Sequence, residues 1–356
     1  MSASSFDYLI LGQGLAGSLL AWHLLHAGRR VLVLDDRHSS SSSMVAAGLI
    51  NPLAGMRFNC APRTVQWLAS AHAFYAELGS LYGRRYFHAI DMQRLFRSDA
   101  QVRFYQRQLE RQSCLPYLGE RLDAGQLDAG IRAPHGGFAQ TQTGYLDMPQ
   151  ILTDLRDWLQ HQQAYAARAV PYSAIGTGPA GITVGEIQAS ALVFCEGYRM
   201  RENPWFNFLP LQPDKGEFLQ LRSERTLCHH IINGAHMLIP LGGGKYRFGA
   251  THEHSITDHS PTAQARQQLQ AGLQALLERH DDIRVEDQSA GVRPATSDRQ
   301  PFIGQHPQYP ALHLFNGFGA RGALSIPWYA QEFSAHLLRR HPLPEEADLL
   351  RYRQPI

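Results

Sequence analysis

Phe6-Asp-Tyr-Leu-Ile-Leu-Gly12-Gln-Gly14-Leu-Ala-Gly17 is the stretch on which the fold turns. Phe6 to Leu11 is a short apolar run of the length of a buried strand. Glycines follow at once, and from Ser18 to Ala27 the pattern is helical and apolar, with Gly28 placed to stop it. Val31 to Leu34 is a second buried strand that ends on Asp35. Gly12 suits the tight turn out of the first strand, Gly14 lets the backbone approach a pyrophosphate, and Gly17 lets the helix press against the sheet. The helix start offers unpaired N–H groups and the positive end of its dipole. An acid at Asp35 accepts hydrogen bonds from both ribose hydroxyls and disfavours a 2′-phosphate. The unit implies a dinucleotide site, for NAD or FAD, and leaves that choice open.

The rest of the composition agrees with a large folded chain. Its 356 residues correspond to roughly two domains. Apolar residues make up 44% and charged residues 18%, which excludes a disordered chain. Lys plus Arg is 33 against 31 for Asp plus Glu, so a strongly basic nucleic-acid binder is not indicated, although a local patch is compatible with a net +2. Four cysteines, at 60, 114, 195 and 228, form no CxxC pair and are too few to staple the chain, so a reducing, cytoplasmic setting is expected. No apolar run reaches the roughly 18 residues of a membrane helix. The N-terminus lacks the basic start and cleavage site of a signal peptide.

Further along, Ser39 to Ser43 reads as a linker, and Met44 to Pro52 is small and apolar enough to lie against a planar ligand. Helices are expected over residues 62–83, 100–112, 148–161, 262–280 and 326–339. The first should bury Val65, Leu68, Ala69, His72, Ala73 and Leu78. Strands are expected over 189–195, 219–221, 237–240, 246–250 and 313–315, with Gly242 to Gly244 as a turn and residues 293–304 turn-rich. A second glycine-rich strand-to-helix junction, Asn316-Gly-Phe-Gly-Ala-Arg-Gly322, lies far from the first. Two such junctions can meet on one extended cofactor. FAD has a pyrophosphate for the first and a ring for the second.

Four segments resemble the FAD-dependent oxidoreductases of the D-amino-acid oxidase, glycine oxidase and sarcosine oxidase group: Gly12 to Asp35, Ala46 to Pro52, Gly291-Val-Arg293-Pro-Ala-Thr-Ser-Asp298-Arg-Gln-Pro301-Phe-Ile-Gly304, and Asn316 to Gly322. Pro213 to Glu217 resembles the turn that opens this group's substrate sheet, and Leu349 to Arg353 also matches. The version of the fourth segment found here is similar to the oxidase domain of the bifunctional tRNA wobble-uridine modification enzyme. A methyltransferase domain is not expected within 356 residues. The resemblance implies an α/β fold, α+β overall. It would have a discontinuous Rossmann-like FAD-binding domain (1–85, 146–205 and 286–356) and a mixed-sheet substrate domain (86–145 and 206–285).

It also implies noncovalent FAD held by Gly12, Gly14, Leu15, Ala16, Gly17, Asp35 and Asp36. Ala46, Ala47, Gly48, Leu49, Val170, Gly197 and Arg293 would add to it, as would Gly317, Phe318, Gly319, Ala320, Arg321 and Gly322. Arg293 is the expected carboxylate ligand, its guanidinium suited to a bidentate pair, unless a structural carboxylate takes it. Met237 stands where amino-acid oxidases often carry a Tyr, which allows a bulkier amine. His236, Leu49 and Arg57 are further substrate candidates. No side-chain nucleophile is expected, because the flavin carries the hard step. His229-His230 and His252-x-His254 lack a convincing third metal ligand. Trp205, Phe206 and Phe208 read as packing. Arg103, Arg107 and Arg111 recur at helical spacing, either as a solvated face or as an RNA-binding stripe. The expected activity is oxidation of the C–N bond of an amino acid or amine, with oxygen or another acceptor. The alternatives are a tRNA-borne substrate, a noncatalytic flavin-binding protein and, more remotely, an NAD-dependent dehydrogenase.

Overall fold

A computed structural model describes residues 5–36, 41–179, 181–254 and 257–352; Ser39, Ser40 and Arg353 lie outside them. The strand Ser5–Leu11 sits between Val31–Asp35 and Ile187–Phe194, parallel to both. Tyr165–Ala167 extends the sheet on one side, and Leu312–Asn316 joins Ile187–Phe194 in parallel. Phe302–Gln305 and an antiparallel hairpin, Ile175–Gly178 with Gly181–Val184, complete eight strands. Every residue of Val31–Asp35 and Leu312–Asn316 is buried. That explains why these strands read as continuous apolar runs rather than alternating ones.

Among the described residues, seven α-helices accompany the sheets: α1 (Leu15–His26), α2 (Ser42–Val45), α3 (Thr64–Tyr82), α4 (Asp99–Leu109), α5 (Met148–His161), α6 (Ala263–Leu276) and α7 (Gly322–Arg339). α1, α3, α5 and α7 share one apolar cluster with the inner face of the parallel sheet. α5 keeps its expected bounds, since Asp147 caps Gln150 N–H and Leu152, Leu155 and Leu159 are buried. None of the described helices is long and apolar enough to cross a membrane.

The second sheet has nine strands. Its spine is the antiparallel pair Leu211–Arg222 and Arg284–Thr296. Lys245–Gly249, Met237–Gly242 and Ile231–Asn233 follow, then Met92–Leu95, which runs parallel to Ile231–Asn233. α6 covers one face, packing Leu269, Leu273 and Leu276 against Leu219, Leu238 and Phe248.

Five expectations change. α3 buries Thr64, Trp67, Leu68, Ala71, Phe74, Tyr75 and Leu78, while Val65 is 67% exposed. Its three buried aromatics carry more apolar area than Val65, Ala69 and Ala73, and they set the face. α4 stops at Leu109, where the chain turns so that Cys114 Sγ reaches the buried Gln108 side chain at 3.3 Å; Arg111 is therefore off the helix, and the three-arginine stripe ends at Arg107. Pro213 to Glu217 is not a turn but lies inside a 12-residue strand, and Arg293 likewise sits in a strand rather than a turn-rich stretch. Trp205 and Phe206 pack on Phe194 as expected, whereas Phe208 is 51% exposed.

The strand Leu211–Arg222 buries Lys215 and Glu217 completely. Lys215 Nζ donates to Asp258 Oδ1 at 2.9 Å and to the Ser260 carbonyl at 2.7 Å, and lies 3.6 Å from Glu217 Oε1. Glu217 accepts from Thr262 N–H, Thr262 Oγ1 and Gln288 Nε2 at 2.7–3.0 Å, tying the α6 N-terminus to the spine. Removing one member of such a cluster leaves buried groups unmatched. Glu217→Ala should therefore lower the unfolding free energy by about 3–5 kcal/mol in urea titrations. A loss below about 1 kcal/mol would show that the cluster is not what holds this junction.

Candidate cofactor and substrate site

The first glycine turn is built by exclusion. Gly12 has φ +104°, and a Cβ there would lie 2.5 Å from the Cys195 carbonyl oxygen. A Cβ on Gly17 would lie 2.0 Å from the Gly12 oxygen. Both positions must be bare for α1 to start where the strand ends. Gly14 differs: its φ is −74°, and an added Cβ would meet only Ser43 Oγ, at 3.3 Å. Asp35 accepts Gln13 N–H at 2.9 Å, so the acid at the second strand also fixes the turn. The Gln13 side chain anchors it from behind, donating to the Leu152 carbonyl and accepting from Arg156 Nε. Asp36 holds Arg199 at 2.7 Å.

This turn opens into a cavity of about 1040 Å³. One end is walled by Gly12, Gly14, Leu15, Ala16, Asp35, Asp36, Val170 and Gly197. Ala46, Ala47, Gly48 and Leu49 run along its middle; Gly48, at φ +63°, passes so close to Leu146 that a Cβ would lie 2.4 Å from its carbonyl oxygen. Phe318, Gly319, Ala320, Arg321 and Gly322 form another wall. The nine-stranded sheet contributes His236, Met237 and Arg293. Three expected residues are not on the wall. Gly17 and Gly317 pack behind it, and Arg57 is exposed with its guanidinium 5.5 Å above the Phe104 ring.

Arg293 has a partner. Asp214 faces it across the spine strands, and Arg293 Nη1 lies 2.7 Å from Asp214 Oδ2. The guanidinium rests on bare Gly216, where a Cβ would meet Nη2 at 2.1 Å. Burial works upward on the Asp214 pKa, but the 2.8 Å contact with His252 Nδ1 and the Arg293 charge outweigh it and hold the carboxyl below its usual range. His236 Nδ1 contacts the Ala250 carbonyl at 3.0 Å, its ring lies against Phe248 and Gly272, and burial lowers its pKa. His229 and His230 both give backbone N–H groups to Asp128, which also meets His230 Nδ1 at 2.7 Å.

Two arginines were not anticipated. Arg94 is 8% exposed, donates to the carbonyls of Leu53 and Gly55 at 3.1 and 2.7 Å, and has its pKa pushed down to about 10 by burial. Arg247 reaches from the sheet to the Ala46 carbonyl at 2.8 Å. Strand alternation could have found Arg247, because buried Tyr246 and Phe248 point it to the opposite face. Arg94 carries no such local signal.

The wall fits FAD on its own terms. Gly14 leaves space beside the α1 N-terminus, Asp35 stands at the nucleotide end, and Arg321 keeps Nε and Nη2 buried without a partner. Gly14→Ala adds a methyl the fold tolerates but the cavity does not. The apoprotein should melt normally while FAD affinity, read by flavin fluorescence, falls about tenfold or more. Glu196, on the same wall, is pushed up to about 7 by enclosure, although Asn203 Nδ2 donates to it at 2.9 Å. Because the folded protein holds this proton more tightly than the unfolded chain, its contribution to stability is full below the unfolded value of 4.5 and is lost as pH rises to about 7. The apoprotein melting temperature should fall across that window, and Glu196→Gln should flatten the slope.

The sequence model of the FAD dependent oxidoreductase family matches residues 7–335. Glycine oxidase of Pseudomonas aeruginosa is 25% identical over 98% of this chain and 95% of its own length. The tRNA 5-methylaminomethyl-2-thiouridine biosynthesis bifunctional protein MnmC of Legionella pneumophila is 24% identical over 93% of this chain, which spans 54% of that protein. The crystal structure of glycine oxidase from Geobacillus kaustophilus superposes with a TM-score of 0.85 at 20% identity, over 99% of this chain and 100% of that one. Iminodiacetate oxidase from Chelativorans sp. BNC1 gives 0.80 at 18%, over 97% and 98%. With matching sequence over nearly its whole length and a glycine turn opening on a cavity of the right construction, the chain belongs to the family of FAD dependent oxidoreductases.

Proposed function

We propose that the protein oxidises the C–N bond of an amino acid or secondary amine, with dioxygen as the acceptor. The balance is amine plus dioxygen plus water giving a carbonyl compound, the released amine and hydrogen peroxide. The observation that carries this reading is the single cavity, walled at one end by the dinucleotide turn and at the other by Met237 and Arg293 of the nine-stranded sheet. Cofactor and substrate would share one enclosed space. Bound FAD supplies a hydride acceptor at its N5. The chain's part is to hold the reacting carbon, exclude water and favour the unprotonated amine. Met237 and Phe218 give the sheet end an apolar surface, which Leu49 continues from the middle of the cavity. Met237 adapts to bulkier side chains than a fixed aromatic would. The glycine oxidase and iminodiacetate oxidase named above support the substrate class.

A second reading is oxidation of a carboxymethylaminomethyl group carried on tRNA. Its support is the match to the Legionella protein over 93% of this chain. The shortening of the arginine stripe to Arg103 and Arg107 weakens it.

The test is anaerobic mixing of the flavin-loaded protein with amino acids, N-alkyl glycines and tRNA, followed at the flavin absorption. Bleaching by small amines, with peroxide formed on re-aeration, is the expected result. Bleaching by tRNA alone would replace this reading with the second. No bleaching by any of them would leave a binding role without turnover.

A further inference from the structure

The spine strand carries an acid at the cavity end of the sheet. Alternation along Leu211–Arg222 turns Asp214, Gly216 and Phe218 to one face, and Gly216 and Phe218 are on the cavity wall. The register sets Asp214 between two neighbours, His254 on one side and Arg293 on the other. Arg293 Nη1 donates to Asp214 Oδ2 at 2.7 Å, and His252 Nδ1 meets the same oxygen at 2.8 Å. The second oxygen, Oδ1, is buried without a hydrogen-bond partner, with His254 Nδ1 3.7 Å away. Burial opposes ionisation, but these contacts hold the carboxyl below its usual range, so it is charged at neutral pH.

A planar guanidinium on the wall of an amine-binding cavity matches the fork of a carboxylate. Here the chain supplies that carboxylate itself. The Arg293 guanidinium lies across bare Gly216 and against Asp214, which is only 6% exposed. A ligand carboxylate arriving at Arg293 would stand beside the Asp214 charge, or would strip a buried carboxylate of its cation; both are unfavourable. Two further arginines of the nine-stranded sheet, Arg94 and Arg247, already donate to backbone carbonyls. Arg321 is one of the groups that fit FAD. What the sheet end still offers beside Arg293 is the apolar surface of Met237 and Phe218.

We propose that Asp214 is a specificity-determining residue: by neutralising Arg293 it closes the sheet end of the cavity to a carboxylate and selects amines whose substituents there are uncharged. The proposal rests on the amine-oxidation reading for the word substrate, whereas the masking of Arg293 stands without it. Selection of this kind works through a like charge set against the wrong ligand rather than a new contact to the right one. Asp214 acts through Arg293 and touches no reacting atom.

The test is a titration of the FAD-loaded protein with acetate, read as a shift of the flavin spectrum. The wild-type protein should bind acetate weakly. Asp214→Asn keeps the shape and removes the charge, and should tighten acetate binding by about tenfold or more. Adding Arg293→Met to that variant should abolish the gain. A gain of affinity is not what loss of a merely structural carboxylate would produce. Unchanged acetate affinity in Asp214→Asn overturns the proposal, and so does a gain that survives Arg293→Met. Tight binding by the wild-type protein that is lost in Arg293→Met overturns it as well, and needs no Asp214 variant to fold. In turnover, with each KM expressed for the unprotonated amine, wild-type KM should be about tenfold or more higher for N-methylglycine than for N-methylglycinamide. Asp214→Asn should close that gap; equal KM values in the wild type count against the proposal. A protein bleached by no amine would sink the reading of its reaction, while the acetate titration would still judge Asp214.

Discussion

The contact between Gly17 and the Gly12 carbonyl is the constraint on which the rest depends. No side chain fits at either position, so α1 begins directly at the end of the central strand and aims its N-terminus into the cavity. The Gln13 N–H bond to Asp35 then couples the turn to the second strand, and the Gln13 side chain couples it to α5. A local geometry of a few residues thus fixes the relative places of three elements. The sheet, the helices above it and the near end of the cavity follow from that placement.

The far end depends on a different device. Leu211–Arg222 and Arg284–Thr296 pair along nearly their whole length, and their register sets Asp214 opposite Arg293 and Gly216 opposite Gly291. Both glycines are spaces for something else: Gly216 for the Arg293 guanidinium, Gly291 for Val45 of α2. The spine therefore packs against α2 without a side chain of its own at Gly291. Arg247 ties the same junction from a neighbouring strand by reaching Ala46. The buried Lys215–Glu217 cluster keeps the other edge of the spine joined to α6.

What could be read from the sequence was what local chemistry determines. The glycine turn, Asp35 and the whole of α5 depend on neighbours a few residues away, and they were legible. The face of α3 was not, because small residues mimicked an apolar stripe while Trp67, Phe74 and Tyr75 formed the real one. The family resemblance implies a turn at Pro213 to Glu217, yet pairing to a strand some 70 residues later sets it inside a strand, which no local preference encodes. The Arg293 pairing belongs to the same class. Either role was open to its guanidinium, and the choice between them rests on a cross-strand register that no local spacing encodes. The state of Arg321 was illegible for a sharper reason: it is defined by the partners it lacks.

A net charge near zero conceals how the cavity is polarised. The nucleotide end carries Asp35, Asp36 and Glu196, with Asp36 matched by Arg199. The other walls carry Arg94, Arg293, Arg299 and Arg321 with the carboxylate of Asp298; Arg293 is matched by Asp214, and Asp298 pairs with Arg351. Ribose hydroxyls donate hydrogen bonds and suit the first end. The same positive wall acts on the amine. A substrate ammonium near Arg94 and Arg321 meets like charges, which disfavour its protonated form. The proposed oxidation requires the unprotonated amine, so this charge would help release the ammonium proton. Arg94, held by carbonyl dipoles rather than by an acid, keeps its charge unmatched and sustains the effect.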